Sequence, residues 1–386
     1  LTRFPSTTLF TPARPPLDID QSITCSAPAR IDLAGGWTDT PPICHDLGGT
    51  VVNLAVTVNR RHAIEATVSR TQKPGITITS TDLNRTEHLR DADDLAPPFN
   101  PAHWSALARA AIHLSSPGPR APRTIDALTR RFWSGPGGIH ITTSSLLPKG
   151  SGLGTSSILA ATLLAALAHA RGERPSLNSL FARTLSLEQL LSTGGGWQDQ
   201  VGGLTPGFKI VRTSPGSSQI PTFAPLPALS LAGPYGPVAL LYFTGVRRMA
   251  RGILRGVVGS YLSRRSDTLR IIRDLKHGAD AMADALQRRD TDEFAHRLNE
   301  YRSLKHAIDP GASLPQTEHF AAAHAKDLLA WELPGAGGGG YLFMLAPNGR
   351  AAARIRRALQ RQPFNAHAGF ASVAPDHSGL RIAPRA

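Results

Sequence analysis

The sequence predicts a mixed α/β or α+β protein of two domains, because strand-like and helix-like stretches alternate in two successive groups. Three observations carry this. β-Branched runs crowd the first 70 residues after a proline-rich start. A glycine loop opens directly into a long alanine- and leucine-rich helix. From about residue 206 the strand-then-helix pattern begins again. We expect an extended lead-in over residues 1–20, one domain over 21–205 and a second over 206–386. A chain of 386 residues is long enough for both to bury a core.

In order, "SITCSAPARIDLAGG" (residues 22–36) has strand character interrupted by Pro28. "GGTVVNLAVTV" and "RHAIEATVS" predict two further strands. Residues 103–114 predict a helix, and "GGIHITTSSLL" a strand leading into "LPKGSGLGTSS" (residues 147–157). The run that follows is helical, with Thr155 or Ser156 as the expected cap and Gly172 past its end. Residues 176–193 are a second helix, ending in the turn "GGGWQDQVGG". Beyond residue 206 we expect a strand in "GPVALLYFTG", one long helical region over 247–289, a helix over 316–330, a strand in "YLFML", a helix in "AAARIRRALQR" and a last strand.

Composition narrows the classes of function. The net charge is +14, from 42 Lys+Arg against 28 Asp+Glu. Most of the cations are arginines scattered along the chain, which suits anionic ligands such as nucleotides. The densest stretch, residues 246–265, is patterned as an amphipathic helix rather than a nucleic-acid arm, and we expect no nucleic-acid partner. The two cysteines, Cys25 and Cys44, lack CxxC spacing, so neither a zinc site nor a disulfide framework is indicated. No apolar run reaches the ~18 residues of a membrane span. A reducing, cytoplasmic location without a membrane partner is therefore the expectation.

Four stretches carry chemistry. In "LPKGSGLGTSS" the glycines can turn backbone N–H groups toward one point, and the next helix adds its own free N–H groups. Phosphate binding and a simple capped helix both fit. Lys149 precedes the glycines, so this is not a Walker A loop. In "SAPARIDLAGGWTDTPPICHDLGG", Arg30 and Asp32 alternate along a strand. Trp37 and Asp39 follow a glycine turn, an arrangement suited to a sugar or equally to a self-capped turn. Glu188 and Asp199 stand eleven residues apart around "GGGWQDQ", which fits either a carboxylate pair of the kind phosphoryl transfer uses or two solvated acids, as any arbitrary pair would be. In "LPGAGGGGYLFML", five of the six residues 335–340 are glycine, too dense for an ordinary turn.

Taken together, the order APAR…GG.TD, P.GSGLGTSS, GG.QDQ and GAGGGGY resembles the GHMP small-molecule kinases, with the motifs spread from Ala27 to Tyr341. The resemblance implies an α+β fold: an N-terminal domain like ribosomal protein S5 domain 2, then a ferredoxin-like C-terminal domain. It also implies ATP and Mg2+ as cofactor and metal, and a small-molecule acceptor in the cleft between the domains. "DLAGGWTDTPPICHDLGGTVVN", "TGGGWQDQVGG" and "TGVRRMARGILRGVVGSYL" are similar to the L-fucokinase branch. There the kinase is often the C-terminal part of a longer bifunctional chain with a GDP-fucose pyrophosphorylase. A start at Leu1 fits a piece of such a chain.

By this resemblance Asp199 is the catalytic base and Arg30 its cationic partner. Pro148, Gly150, Ser151, Gly152, Leu153, Gly154, Thr155, Ser156 and Ser157 hold the triphosphate, and Ser156 with Glu188 holds the metal. Gly36, Trp37, Asp39, Gly196 and Gly337 are the expected acceptor-binding residues. Galactokinases carry Glu-His where this chain has Gly36-Trp37; loss of that carboxylate suits a 6-deoxy sugar such as L-fucose, with Trp37 facing its apolar surface. Heptose-phosphate kinases share the glycine and are the alternative, for which Arg247, Arg248 and Arg251 offer a basic cluster. A non-catalytic sugar sensor is the further alternative. Two departures are "WELPGAGGGG" before the last motif and Arg251 in place of the lysine expected in this branch.

Overall fold

A computed structural model describes residues 14–116, 122–192, 194–232, 236–247 and 251–385, with residues 251–253, 384 and 385 described by their backbone alone. The expected lead-in is therefore described only from residue 14, and Arg248 with the Arg251 side chain lies outside the described residues.

The β-branched runs become three sheets. The first has the strand order β15 (Arg381–Arg385), β1 (Ser22–Ala27), β4 (Ile64–Thr71), β7 (Gly138–Ser145), β5 (Ile76–Ser80) and β6 (Arg85–Leu89). All its neighbours are antiparallel except β5 and β7. The second is built around β3 (Thr50–Val58), which pairs with β2 (Ala29–Ala34), β8 (Phe208–Arg212) and β14 (Val373–Pro375); β9 (Thr222–Pro225) extends it beyond β8. The third is fully antiparallel, in the order β11 (Ala330–Glu332), β12 (Tyr341–Ala346), β10 (Val238–Phe243) and β13 (Gly369–Ala371).

Helices close these sheets. The short α1 (Ile43–Leu47) lies in the loop after β2; α2 (Ala106–Ser115) and α3 (Ile125–Trp133) precede β7. The glycine loop feeds α4 (Thr155–Ala170), which is apolar on every face and has most of its residues buried, as expected of a helix inside the core. It packs on β4 and β1 on one side and on α5 (Leu177–Leu190), α2 and α6 (Gln198–Leu204) on the other. The second half of the chain adds α7 (Arg251–Leu262), α8 (Ser266–Gln287), α9 (Thr291–Ile308), α10 (Pro315–Ala323) and α11 (Gly349–Arg361). Helices α8 and α9 lie side by side and touch β2, so they reach across to the first half.

Several expectations are corrected. The region over 247–289 is two helices, broken at Arg264, whose φ of 52° ends the first. The helix placed over 316–330 stops at Ala323; a short turn follows, and Ala330 already belongs to a strand. The division at residue 206 passes through a sheet, because β8 and β9 pair with β3 and its neighbours; β14 and β15 also return to the first half. Strand pairing is long-range and leaves no mark in local composition, which is why the restart of the strand-then-helix pattern near residue 206 does not coincide with the edge of the sheet.

Candidate active site

Arg30 and Asp32 are two residues apart on β2, so the two-residue period of a strand sends both side chains to one face, while Ile31 and Leu33 enter the core. The Arg30 guanidinium is held on every side. Nε and Nη2 donate to Oδ1 of Asp199 at 2.8 and 2.7 Å. Nη1 donates to Oδ1 of Asp32 at 3.0 Å and to the Gly152 carbonyl at 2.7 Å. Burial works against the charge on Arg30, but the carboxylates of Asp199 and Asp32 more than offset it and raise its pKa. Asp199 lies in the first turn of α6 rather than in the preceding glycine turn. It is the more open member of the pair, with 26% of its side chain exposed.

The glycine loop sits directly beside this pair. Gly150, Gly152 and Gly154 have φ of 74°, 77° and 76°, a left-handed backbone that favours glycine. Gly154 is the N-cap of α4, and among the described residues no side chain caps that helix. Thr155 and Ser156 therefore do not act as the expected cap: the Thr155 hydroxyl pairs with that of Ser151 at 2.8 Å, and Ser156 is exposed. The first N–H groups of a long buried helix are thus left for a ligand. Lys149 is exposed, Pro148 is half-buried, and Leu153 anchors the loop in the core.

The second glycine run sits among carboxylates and one leucine. Gly194, with φ 70°, lies against Leu254 of α7. A Cβ on Gly195 would overlap the carboxylate of Glu188, and one on Gly196 would overlap that of Asp39. Asp39 is almost fully buried and accepts from the Gln198 N–H through Oδ2 at 3.0 Å. Among the described residues its Oδ1 has no hydrogen-bond partner, nor does Oε1 of Gln198. Burial, assisted by the nearby charge of Asp199, pushes the Asp39 pKa up to about 7. Buried, unpartnered acceptors of this kind call for a donor from a ligand or water.

Glu188 is buried on α5 and takes the hydroxyl of Ser157. The serine joined to Glu188 is thus Ser157, whereas the expected metal partner Ser156 stands one residue earlier on the exposed side of the same turn. No group of three or more His, Cys, Asp or Glu gathers as a metal site among the described residues. One carboxylate and a hydroxyl still fit magnesium, which keeps several waters and takes its remaining ligands from phosphates.

The third motif closes the site from behind. Gly335 donates its N–H to Oδ1 of Asp32 at 2.6 Å, and Tyr341 donates its N–H to the Ser151 carbonyl at 2.9 Å. Gly337, expected to bind the acceptor, instead packs on the Pro310–Ala312 turn. Gly36 is pressed against the hydroxyl of Tyr301, which occupies the place of a Cβ. Trp37, with φ 77°, keeps only 7% of its surface exposed, so its indole is a wall set into the core rather than an open platform.

Sequence reasoning missed α9 and with it Tyr301 and Lys305, both buried against Asp32. A signal was present: Asp290 caps the helix by accepting from the Glu293 N–H, and aspartate followed three residues later by glutamate marks a helix start.

A cationic side chain locked to a partly exposed aspartate thus stands beside an uncapped helix, and comparison with known proteins gives the family. Residues 120–206 match the GHMP kinases N terminal domain and residues 282–366 match the GHMP kinases C terminal domain. The chain thus carries both the N-terminal and the C-terminal domain of the GHMP kinases. Over 372 residues it is 37% identical to the L-fucokinase/L-fucose-1-P guanylyltransferase of Bacteroides fragilis, covering 95% of this chain and 39% of that protein. Over 334 residues it is 32% identical to the bifunctional fucokinase/GDP-fucose pyrophosphorylase of Arabidopsis thaliana, covering 86% of this chain and 30% of that one. The chain therefore spans well under half the length of these relatives. Among solved structures, the D-glycero-D-manno-heptose 1-phosphate kinase of Bacteroides thetaiotaomicron superposes with a TM-score of 0.64 at 20% identity, covering 93% and 98% of the two chains. Lactococcus lactis galactokinase complexed with galactose gives 0.67 at 14%, covering 95% and 96%. At these identities the likeness is one of fold. No described helix is long and apolar enough to cross a membrane.

Proposed function

We propose that the chain is an ATP-dependent kinase that phosphorylates the anomeric hydroxyl of L-fucose, giving ADP and β-L-fucose 1-phosphate. The observation that carries the reaction class is the Arg30–Asp199 pair, set beside the uncapped α4 and the unpartnered oxygen of Asp39. The choice of sugar rests on the identity to the two fucokinase relatives.

Each residue then has a physical task. Gly150–Ser157 would turn backbone N–H groups toward the triphosphate, and the α4 dipole would add favourable potential there. Arg30 binds Asp199 through Oδ1 alone, which fixes the carboxylate plane and leaves Oδ2 to accept the proton of the sugar hydroxyl. As that oxygen attacks the terminal phosphorus and ADP departs, the Arg30 charge stabilises the extra negative charge. Asp39 would accept sugar hydroxyls through Oδ1, and Trp37 would close the far wall. Magnesium, held by Glu188 with Ser156 or Ser157, would offset charge on the phosphate oxygens. The two unpaired, buried cysteines suit a reducing cytoplasm.

The test is ADP release with ATP and magnesium against L-fucose, D-galactose, D-arabinose and a heptose 7-phosphate, with the Asp199→Asn variant in parallel. We expect turnover on L-fucose that falls at least about a hundredfold in the variant. Preference for the heptose phosphate would overturn the substrate. No turnover on any sugar, with ATP still bound, would overturn the kinase reading.

A further inference from the structure

Asp32 makes no contact with the reaction proposed above, yet it is the residue on which the parts of the site converge. It is fully buried on β2, and both its oxygens are used. Oδ1 accepts from Nη1 of Arg30 at 3.0 Å and from the Gly335 N–H at 2.6 Å. Oδ2 accepts from the Tyr301 hydroxyl at 2.7 Å and lies 3.6 Å from Nζ of Lys305. Lys305 is itself fixed, donating to the Leu333 carbonyl at 2.8 Å and to Oε2 of Glu332 at 3.4 Å, with its ammonium 4.9 Å from the centre of the Tyr301 ring. Burial alone would push Asp32 toward the neutral form; Lys305 and Arg30 hold its pKa below the ordinary carboxylate value instead.

This cluster is costly to bury. A lone buried charge is strongly unfavourable, and an apolar core of the same volume is often as stable or more so. Its layout points to what it does. From α9 and β11 it runs through Asp32 to Arg30, and from Arg30 it divides to Asp199 and to the Gly152 carbonyl of the glycine loop. Gly335 ties the third motif to the same carboxylate. One carboxylate thus sets the relative positions of the base, its cationic partner and two loops contributed by distant parts of the chain.

We propose that Asp32, held by Tyr301 and Lys305, is a positioning device for Arg30, and that α9 acts on catalysis through it; this rests on the kinase reading. Tyr301 and Lys305 are positioning residues, since the chain of contacts reaches Asp199 only through Asp32 and Arg30. Tyr301→Phe removes one hydroxyl from an otherwise unchanged ring, so Asp32 Oδ2 loses its hydrogen bond and keeps only Lys305 at 3.6 Å, while the hydroxyl contact with Gly36 is lost and the ring stays packed.

The experiment is a double-mutant cycle in the full chain, using whichever sugar the wild type turns over. Tyr301→Phe should lower kcat about 10- to 100-fold, the scale of a small misplacement of reacting groups, with KM for ATP and sugar within about twofold. In an Arg30→Lys background, which has already lost the guanidinium fork, the same change should cost less than about twofold. Equal losses in both backgrounds, or a loss confined to KM, would overturn the proposal. A wild type that phosphorylates no sugar would sink the kinase reading alone. The network would then be decided by the Arg30 15Nε resonance, assigned through Arg30→Lys. A single sharp signal that broadens or shifts in Tyr301→Phe and in Lys305→Met supports the device, and an unchanged signal in both overturns it.

Discussion

Replacing Asp39 by asparagine should make the protein more stable and disable its acceptor site. Asp39 is only 1% exposed and its pKa is raised from 3.8 to about 7, first by burial and then by the charge of Asp199. Because the folded protein holds this proton more tightly than the unfolded chain does, wild-type stability falls as pH rises from about 4 to about 7 and levels off above that. At about 1.4 kcal/mol per pH unit, the ceiling on the loss is about 4 kcal/mol. Asparagine has no proton to lose. Its side-chain oxygen can still accept from the Gln198 N–H, so the one bond that Asp39 makes through Oδ2 is kept. Thermal melts of both proteins from pH 4 to 8 should show a gap that favours the variant, widens up to about pH 7 and is flat above it. At pH 7.5 the same variant should raise the KM for sugar at least tenfold, because an ionised acceptor is replaced by a neutral amide. A stability gap that narrows with rising pH would refute the reasoning, since it would mean that the folded site favours the charged carboxylate.

Other perturbations have equally direct readouts. Asp199→Asn should lower kcat by about 10²- to 10⁴-fold, the usual contribution of a positioned base, while ATP affinity measured by calorimetry stays within a few-fold. Gly152→Ala places a side chain on a residue with φ 77°, against the Pro334 carbonyl where the glycine loop meets the third motif; nucleotide affinity should fall at least tenfold, with little change in the KM for sugar. Lys209→Met should stabilise the protein near pH 7. Burial lowers the Lys209 pKa to about 7, an effect that Asp376 offsets only in part. The wild type therefore gains stability between about pH 7 and 10.5, and melting curves should show the advantage of the variant shrinking over that range.

Much of the fold was legible where local pattern and final burial agree. The β-branched runs of β3 and β4 and the alanine–leucine run of α4 are apolar because they lie in the core, and composition alone reveals them. Helix α9 was hidden for the opposite reason. Its buried face includes Tyr301 and Lys305, so a polar cluster breaks the apolar stripe that marks a helix. The return of β15 to β1 joins residues more than 350 positions apart, and nothing in either strand announces the partner.

The candidate site was legible as residue types rather than as geometry. Arg30 and Asp199 stood out by likeness to a family, and the structure brings them together across 169 residues. For the glycine loop, local sequence could not separate phosphate binding from capping. The distinction depends on where the Thr155 hydroxyl points, and it points to Ser151. Ser157 and Ser156 differ by a single step around the first turn of α4, and the packing of α5 brings Glu188 to Ser157. An indole and an acid after a glycine turn predict an open sugar surface at Trp37, whereas its surroundings bury it.

The central claim is transfer of the terminal phosphoryl group of ATP to the anomeric oxygen of L-fucose by the Arg30–Asp199 pair. The most direct measurement is 31P NMR of the product formed from L-fucose, ATP and magnesium, with proton coupling retained. We predict one new phosphomonoester signal split by the sugar's anomeric proton, growing in with the wild type and about 10²- to 10⁴-fold more slowly with Asp199→Asn. A phosphorus coupled to another sugar proton, the release of inorganic phosphate alone, or the same product formed by the variant at the wild-type rate would contradict it.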